Sequence, residues 1–437
     1  MSPLAPRKVV RLELEHGLSA LPLDPRFQGL HVTFWWRGFP LGHRELPNRH
    51  LPLSATEVAN LAAETIAPAV GHRLSPGVFQ VALPGCSPAP PPSATPAELR
   101  TIATLDRPLK ELSAAARPLD GSSVSVVVCT RDRSAQLARC LRLLTEMSEA
   151  PAEILVVDNA PTSDATRQVV AAVPGVRYVL EPLPGLSRAR NTGIRSSLGD
   201  IVAFTDDDVE VHPGWITGLR RGFRGPEVLA VTGLVLPAEL ETDAQVIFED
   251  SGGFGQGYRS RRFDRGFLEK TKRSGTPVWR IGAGANMAMR RTAFARVGDF
   301  DERLGAGAAG CSEDSEFWYR LLAEGGVCRY EPTAVVFHHH RREMNELKHQ
   351  AHQYMRGHVA ALLVQFARYR HWSDLRRVAL DLPKYYVRQL VHCAIGGADP
   401  RRPLVWPEIR GCASGIAFML ASAARSHRAA RRSTAGA

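Results

Sequence analysis

The chain has 437 residues, too many for one ordinary hydrophobic core, so two or three folding units are expected. Hydrophobic residues make up 44% and charged residues 23%, a normal globular mixture, and the formal net charge of +11 favours anionic partners such as nucleotides, phospholipid headgroups or nucleic acid without choosing among them. The N-terminus lacks the apolar core of a signal peptide, and no run of 18 apolar residues is present to form a spanning helix.

The basic excess is local: Arg259, Arg261, Arg262, Arg265, Lys270, Lys272 and Arg273 cluster, and Arg425, Arg428, Arg431 and Arg432 crowd the tail. Seven scattered cysteines form no CxxC pair or zinc spacing, which reads as a reduced, cytoplasmic chain.

Residues 1–86 read as a small α+β accessory module. Short alternating pieces (VVRLELEH, LHVTFWW) precede an expected helix, SATEVANLAAETIAPAV, with Ser54 as N-cap and Glu57 three residues on. No chemistry is legible in this module. Residues 87–120, with Pro88, Pro90, Pro91, Pro92 and Pro96, read as a stiff, extended linker.

From Val124 the pattern changes. VSVVVCT is a continuous β-branched run, as expected of a strand buried on both faces. Helix SAQLARCLRLLTEM, strand AEILVVDN, helix SDATRQVVAAV, strand VRYVLE, helix LSRARNTGIRSSL and strand DIVAFTDDD follow in turn. This alternation predicts right-handed βαβ units on a parallel sheet, with ligands at the carboxyl ends of the strands. Residues 252–275, rich in Gly, Arg and Ser, read as a long mobile loop, and residues 346–437 as a basic helical C-terminal extension. Within that extension SGIAFMLASAA (Ser414 to Ala424) is too short to cross a membrane and reads as a buried helix, with a membrane-surface helix as the alternative.

The sharpest chemical signal is Asp206, Asp207 and Asp208 at the end of IVAFT. Three adjacent carboxylates repel one another, so a buried strand end is a costly place for them without a cation. Hard oxygens favour magnesium or manganese, which would in turn hold diphosphate oxygens; an exposed acidic turn is the alternative. Asp158 ends the second strand, placed either to accept hydrogen bonds from a ribose or base or to form a turn with Asn159. Thr130, Arg131 and Arg133 follow the first strand, where donors meet a nucleotide, and Gly185, Arg188, Arg190 and Asn191 open the third helix, where arginines suit phosphates. In Cys311-Ser312-Glu313-Asp314-Ser315-Glu316-Phe317-Trp318, Ser312 or Asp314 is a candidate helix cap, and Asp314 a candidate general base. His338, His339 and His340 follow the apolar AVVF, and one of them is a candidate third metal ligand.

Taken in order, VVVCTRDR, ILVVDN, GLSRARNTG, AFTDDD, GAGANMAMRR and CSEDSEFWYRL resemble family 2 glycosyltransferases of the GT-A fold, inverting and non-processive, over about residues 122 to 345. The resemblance implies an α/β domain at 121–345, a Rossmann-like, mainly parallel sheet flanked by helices. It implies a nucleotide diphosphate-sugar donor, a divalent metal (Mn or Mg), and a glycan, lipid-linked or small-molecule acceptor. Asp158 would take the base and ribose beside Thr130, Arg131 and Arg133. Arg188 and Arg190 would serve the donor, as would Asp207. Asp206 and Asp208 would form the DxD element, with His338 completing the metal site. Gly284 and Asn286 would shape the pocket, and Asp314, beside Glu313 in the ED element, would be the catalytic base.

Two departures stand out. Gln353, Arg356 and Gly357 give only QYMRG where processive synthases carry QxxRW, and the first 117 residues have no counterpart in the minimal family domain. The basic loop at 259–273 is a candidate lid over the diphosphate. The competing functions are a non-catalytic binding or scaffold protein and a sugar nucleotidyltransferase. The latter is disfavoured because CTRDRS lacks a glycine-rich loop, and a nucleic-acid binder because no recognised motif is present. The expected location is cytoplasmic, peripheral at the inner face of a membrane if the basic tail meets anionic lipid.

Overall fold

The structure, a computed structural model, describes residues 6–74, 121–395 and 399–435. The Pro-rich stretch 87–120 lies outside the described residues, as do the side chains of Arg428, Arg431 and Arg432.

The N-terminal segment forms β1 (Arg7–Glu13), β2 (Gly29–Trp36) and β3 (Phe39–Pro47), a three-stranded sheet covered by α1 (Ala55–Leu74). The expected cap is present: Ser54 N donates to Glu57 Oε2 at 2.8 Å and Glu57 N donates to Ser54 Oγ at 3.3 Å. Val32, Phe34, Leu41, Val58 and Ile66 make a core of their own for this sheet.

The second sheet has nine strands. In chain order the elements are β4 (Val124–Thr130), α2 (Ser134–Thr145), β5 (Glu153–Asn159), α3 (Ala165–Ala171), β6 (Val176–Glu181), α4 (Leu186–Ser196), β7 (Ile201–Asp206), β8 (Val209–Val211), α5 (Trp215–Gly222), β9 (Val228–Pro237) and α6 (Asp243–Asp250). They continue with β10 (Arg261–Phe263), α7 (Arg265–Thr271), β11 (Asn286–Arg290), α8 (Arg291–Val297), α9 (Glu313–Ala323) and β12 (Val327–His338). The order is β10-β12-β9-β11-β7-β4-β5-β6, with β8 paired to β12. β7, β4, β5 and β6 are mutually parallel, and β12 is parallel to β9; β11 runs antiparallel between β7 and β9.

The β-branched run of β4 is buried on both faces, as its composition predicts. Val126 and Val128 pack with Leu137 and Leu141 of α2 on one side, and Val127 packs with Ala189 and Ile194 of α4 on the other. The chain therefore adopts the expected α/β architecture, a large, mostly parallel sheet between helical layers.

Residues 252–260 form a loop as expected, but residues 261–274 depart from the expected long loop. Phe263 of β10 pairs in register with Cys328 of β12, and Phe267 and Leu268 of α7 are buried beneath it. Three apolar residues at helix-compatible spacing among the arginines anchor the segment to the sheet edge. Residues 261–274 do not line the cleft described below, whereas Ser251 to Gln256 at the start of the loop do.

The C-terminal region is helical: α10 (Met344–Tyr369), α11 (Trp372–Arg376), α12 (Leu382–Ala394) and α13 (Arg402–Ala435). A Cβ on Gly411 or Gly415 of α13 would stand 2.3 or 2.5 Å from the carbonyl oxygens of His352 or Arg356. These two glycines let α13 lie directly against α10.

The two sheets touch. Arg7 forms a two-pronged ion pair with Asp250 at 2.6 and 2.7 Å, and the Arg11 guanidinium lies 3.5 Å from the centroid of the Phe337 ring. The N-terminal unit thus braces the strand end that carries His338.

Asn286 was expected to line the donor pocket, and the structure corrects this. It is fully buried, accepting from Trp215 Nε1 at 2.8 Å and donating to the carbonyls of Leu234 (3.0 Å) and Ala334 (2.9 Å). The β9–β12 register shifts between Glu331 and Val335, and the carboxamide supplies donors where that ladder is interrupted. Asn286→Ala should therefore lower the unfolding free energy by about 2 kcal/mol in denaturant titration, as expected for stranded buried polar groups. A change below the error of the titration would mean that the carboxamide is not stitching the sheet.

Candidate active site

Pairing geometry brings the chemical residues together. In the parallel registers Thr130 stands opposite Asp158, and Cys129 opposite Asp206, so the ends of β4, β5 and β7 form one rim. The antiparallel register of β8 and β12 sets His338 opposite Val209, and His339 N donates to the Asp208 carbonyl at 3.2 Å. That pairing carries the histidine run to the acidic turn from 130 residues away in sequence.

A cleft of about 1650 Å³ opens over this rim. Thr130, Arg131, Arg133, Arg190, Asp206, Asp207, Asp208, Gly284, Glu313, Asp314 and His338 all line it. Arg188 does not: it faces outward from α4 and pairs with Glu302 at 2.7 Å, which corrects its assignment to the donor. Asp158 also differs from expectation. It has no exposed surface and accepts from Tyr178 Oη at 2.9 Å, and burial pushes its carboxyl above the usual carboxylate range. Its neighbour Asn159 is the cleft residue; its carboxamide accepts from Gly185 N and donates to the Leu183 carbonyl, fixing the turn into α4.

Two acidic groups face each other across the cleft floor. On one side the three aspartates diverge. Asp207 turns inward, taking Thr130 Oγ1 at 2.6 Å and Arg133 Nη1 at 3.0 Å. Asp208 is held by Arg133 at 3.2 Å and lies 3.6 Å from His338 Nε2 and 3.9 Å from Arg341. Burial alone would push Asp208 up; His338, Arg133 and Arg341 bring its carboxyl below the ordinary value. Asp206 points the other way, to Arg190 Nη2 at 3.5 Å, and burial with the adjacent aspartates raises its pKa.

On the other side stands the start of α9. Ser312 is in the left-handed region (φ 71°) and makes no side-chain cap, so helix capping does not account for this run. Glu313 Oε1 accepts from Arg190 Nη1 at 2.5 Å, and Asp314 Oδ1 accepts from the Ser315 amide at 2.5 Å. A Cβ added to Gly284 would lie 2.9 Å from Arg190 Nη2 and 3.1 Å from Asp314 Oδ2. Only glycine leaves that guanidinium and that carboxylate side by side. Burial first, then the Glu313 charge, raises the Asp314 pKa to about 6 against the pull of Arg190.

The donor types suit a hard divalent cation: carboxylates from Asp206 and Asp208 and the imidazole of His338. Burial lowers His338 to about 4, so the ring is neutral at pH 7, and its Nδ1 is engaged with His340 at 3.1 Å, leaving Nε2 toward Asp208. Among the described residues no three such side chains already converge on one point.

Several lining residues escaped the sequence reading. Arg341 follows the histidines directly. Gln350, Gln353, Tyr354 and His358 line the cleft from α10, and their helical spacing was the available signal. A Cβ on Gly357 would lie 2.4 Å from the Cys311 carbonyl, so α10 sits hard against the loop that delivers Glu313 and Asp314.

Residues 125–298 match the model of Glycosyl transferase family 2. The pre-mycofactocin glycosyltransferase of Mycobacterium tuberculosis (strain CDC 1551 / Oshkosh) is 29% identical over 235 residues, 53% of this chain and 46% of that protein. This chain therefore matches less than half the length of that relative. The N-acetylglucosaminyl-diphospho-decaprenol L-rhamnosyltransferase of the same strain is 27% identical over 247 residues, 49% of this chain and 75% of that one. Among solved structures, mannosyltransferase PcManGT from Pyrobaculum calidifontis, in complex with GDP-Man and Mn2+, aligns with a TM-score of 0.46 and 18% identity, covering 69% of this chain and 88% of that one. The succinoglycan biosynthesis protein ExoM of Rhizobium meliloti (strain 1021) is 30% identical over 235 residues, 50% of this chain and 67% of that one. On that match and the family model together, the chain belongs to glycosyl transferase family 2.

Proposed function

We propose that this protein transfers a sugar, with inversion, from a nucleotide diphosphate to an acceptor hydroxyl. The observation that carries the reading is the shared cleft floor: Asp314 and Arg190 both border Gly284, and Arg190 reaches on to Asp206 at 3.5 Å. A candidate base and a candidate diphosphate-binding acidic turn thereby line one cleft, the arrangement a single displacement needs.

Asp314 is the base in this reading. Its carboxylate takes the acceptor proton as the oxygen attacks the anomeric carbon, and the bond to the diphosphate breaks on the opposite face. Arg131, half exposed at the cleft mouth, and Arg133 supply donors to the departing diphosphate. Asp206, Asp208 and His338 would hold manganese or magnesium, which when bound supplies positive charge to the leaving group. Glu313 has its Oε2 buried without a hydrogen-bond partner and its Oε1 on Arg190; its role is to fix the guanidinium rather than to touch substrate.

Relatives in the family span different acceptors; the named activity of the M. tuberculosis rhamnosyltransferase is on a diphospho-decaprenol sugar, a lipid-linked acceptor. A lipid-linked glycan is accordingly within the proposed acceptor class, beside free glycans and small molecules.

The reaction is tested by nucleotide diphosphate release from a panel of nucleotide sugars, with manganese, magnesium or chelator. Turnover of one donor is expected to need the metal. Asp208→Asn should abolish both turnover and metal-dependent donor binding in calorimetry, while Asp314→Asn should retain binding and lose at least about 100-fold in kcat, a typical general-base contribution. Donor turnover that survives in Asp314→Asn removes that residue from the chemistry. Failure of every donor to bind favours the scaffold alternative.

The Asp314 environment also sets a pH profile. A base with a pKa raised to about 6 is protonated below that value, so kcat/KM should fall about tenfold per unit as the pH drops below 6 and level off above 7. A profile flat between pH 5 and 7 would exclude Asp314 as the titrating base.

A further inference from the structure

The C-terminal helices carry apolar surface that none of the described residues covers. On α12, Val387, Val391 and Ile395 are 60%, 54% and 76% exposed. They follow one another at four-residue steps, with exposed Lys384 and Arg388 on the same face. On α13 the residues turned away from α10 are Arg402, Trp406, Arg410, Ala413, Ala417 and Leu420, spaced by four, four, three, four and three and all exposed. This revises the expectation of a buried SGIAFMLASAA helix: Gly415 packs on α10, while Ile416 and Leu420 stay open, Leu420 at 68%.

Charge identifies what such faces meet. Neither stripe contains an acid. From Leu382 to Ala437 the only acids are Asp399 and Glu408, and Glu408 is buried against Arg401 at 2.8 Å. Lys384, Arg388, Arg402 and Arg410 have no carboxylate partner among the described residues. An apolar ridge edged by unpaired cations, with a tryptophan among them, matches an anionic lipid surface, where side chains enter the headgroup boundary and cations meet lipid phosphates. A second copy of the chain is the poorer fit, because a two-fold contact would pair each acid-free stripe with itself and so bring cations against cations.

We propose that α12 and α13 form a peripheral docking surface for an anionic lipid bilayer, lying on it rather than crossing it. No described helix is long and apolar enough to span. The inner face of α12 reaches the far end of the catalytic cleft through Leu382, Tyr385 and Tyr386. The same helix therefore bears the docking stripe outside and the cleft wall inside. The docking inference stands on surface chemistry and is independent of the reaction proposed above.

The test is co-sedimentation of the full chain with phosphatidylcholine vesicles, with and without phosphatidylglycerol, beside sedimentation of the protein alone. Binding should need phosphatidylglycerol and weaken with salt. Lys384→Gln with Arg388→Gln should lower partitioning about 30-fold, the loss expected for two surface cations. Val391→Ser with Ile395→Ser should lower it comparably, and Trp406→Ser with Leu420→Ser gives the same reading from α13 should the α12 variants fail to fold by circular dichroism. Absence of binding to anionic vesicles, or binding indifferent to all these folded variants, overturns the proposal. A dimer in solution that the same substitutions dissociate overturns it in favour of a second copy as the occupant.

Discussion

One buried guanidinium holds the active-site region together. Arg190 is almost wholly enclosed, pairs with Glu313, reaches Asp206 and points a further N–H at the Gly284 carbonyl at 3.5 Å. These three partners belong to α9, the end of β7 and the turn before β11, elements that share no other charged contact at this point. Placing any one of these carboxylates in a buried rim alone would cost several kcal/mol, and removing the cation from such a cluster leaves about 3–5 kcal/mol of uncompensated charge. The strong raising of the Arg190 pKa, to which the neighbouring acids contribute against burial, is the same fact seen from the cation. The same cation thus ties the start of α9, which carries Asp314, to the acidic turn at the end of β7.

The sheet supplies the positions that the guanidinium then joins. Parallel pairing of β4, β5 and β7 places three strand ends on one rim, and the β8–β12 pairing adds His338. β12 can run from the sheet edge to that rim only with an irregularity between Glu331 and Val335, and Asn286 fills the resulting gap in the ladder. A buried carboxamide that looked from the sequence like pocket chemistry is thus the residue that permits the strand to deliver a different functional group.

What was legible in the sequence follows from where information is local. The strands β4 to β7 and helices α2 and α4 were readable because β-branched runs and helical periodicity act within a few residues. The acidic turn and Asp314 could be singled out as candidates because carboxylates sit beside apolar strand and helix runs, and the structure brings both to one cleft. Asn286 and Arg188 were misassigned because their roles depend on which way a side chain faces after long-range pairing, which adjacency in a motif does not encode. Asp158 was placed at the right strand end, yet Tyr178, two positions into β6, covers it; only the β5–β6 register brings that hydroxyl across. Residues 252–275 looked like a loop because arginine and glycine dominate their composition, while three spaced apolar side chains decide their structure.

The cleft and the C-terminal helices impose a joint constraint. Gly357 and Cys311 are in backbone contact, so α10 cannot shift without moving the loop that carries Glu313 and Asp314. Gly411 and Gly415 press α13 onto the other side of α10 in the same manner. α10 thus lies between α13 and the Glu313–Asp314 loop, held to each by close backbone approaches at glycines and to α13 also by side chains such as Phe418 and Met419 against Ala360 and Val364. Because α10 and α12 also contribute side chains to the cleft wall, the C-terminal helices are part of the geometry of the site and not an appendage to it.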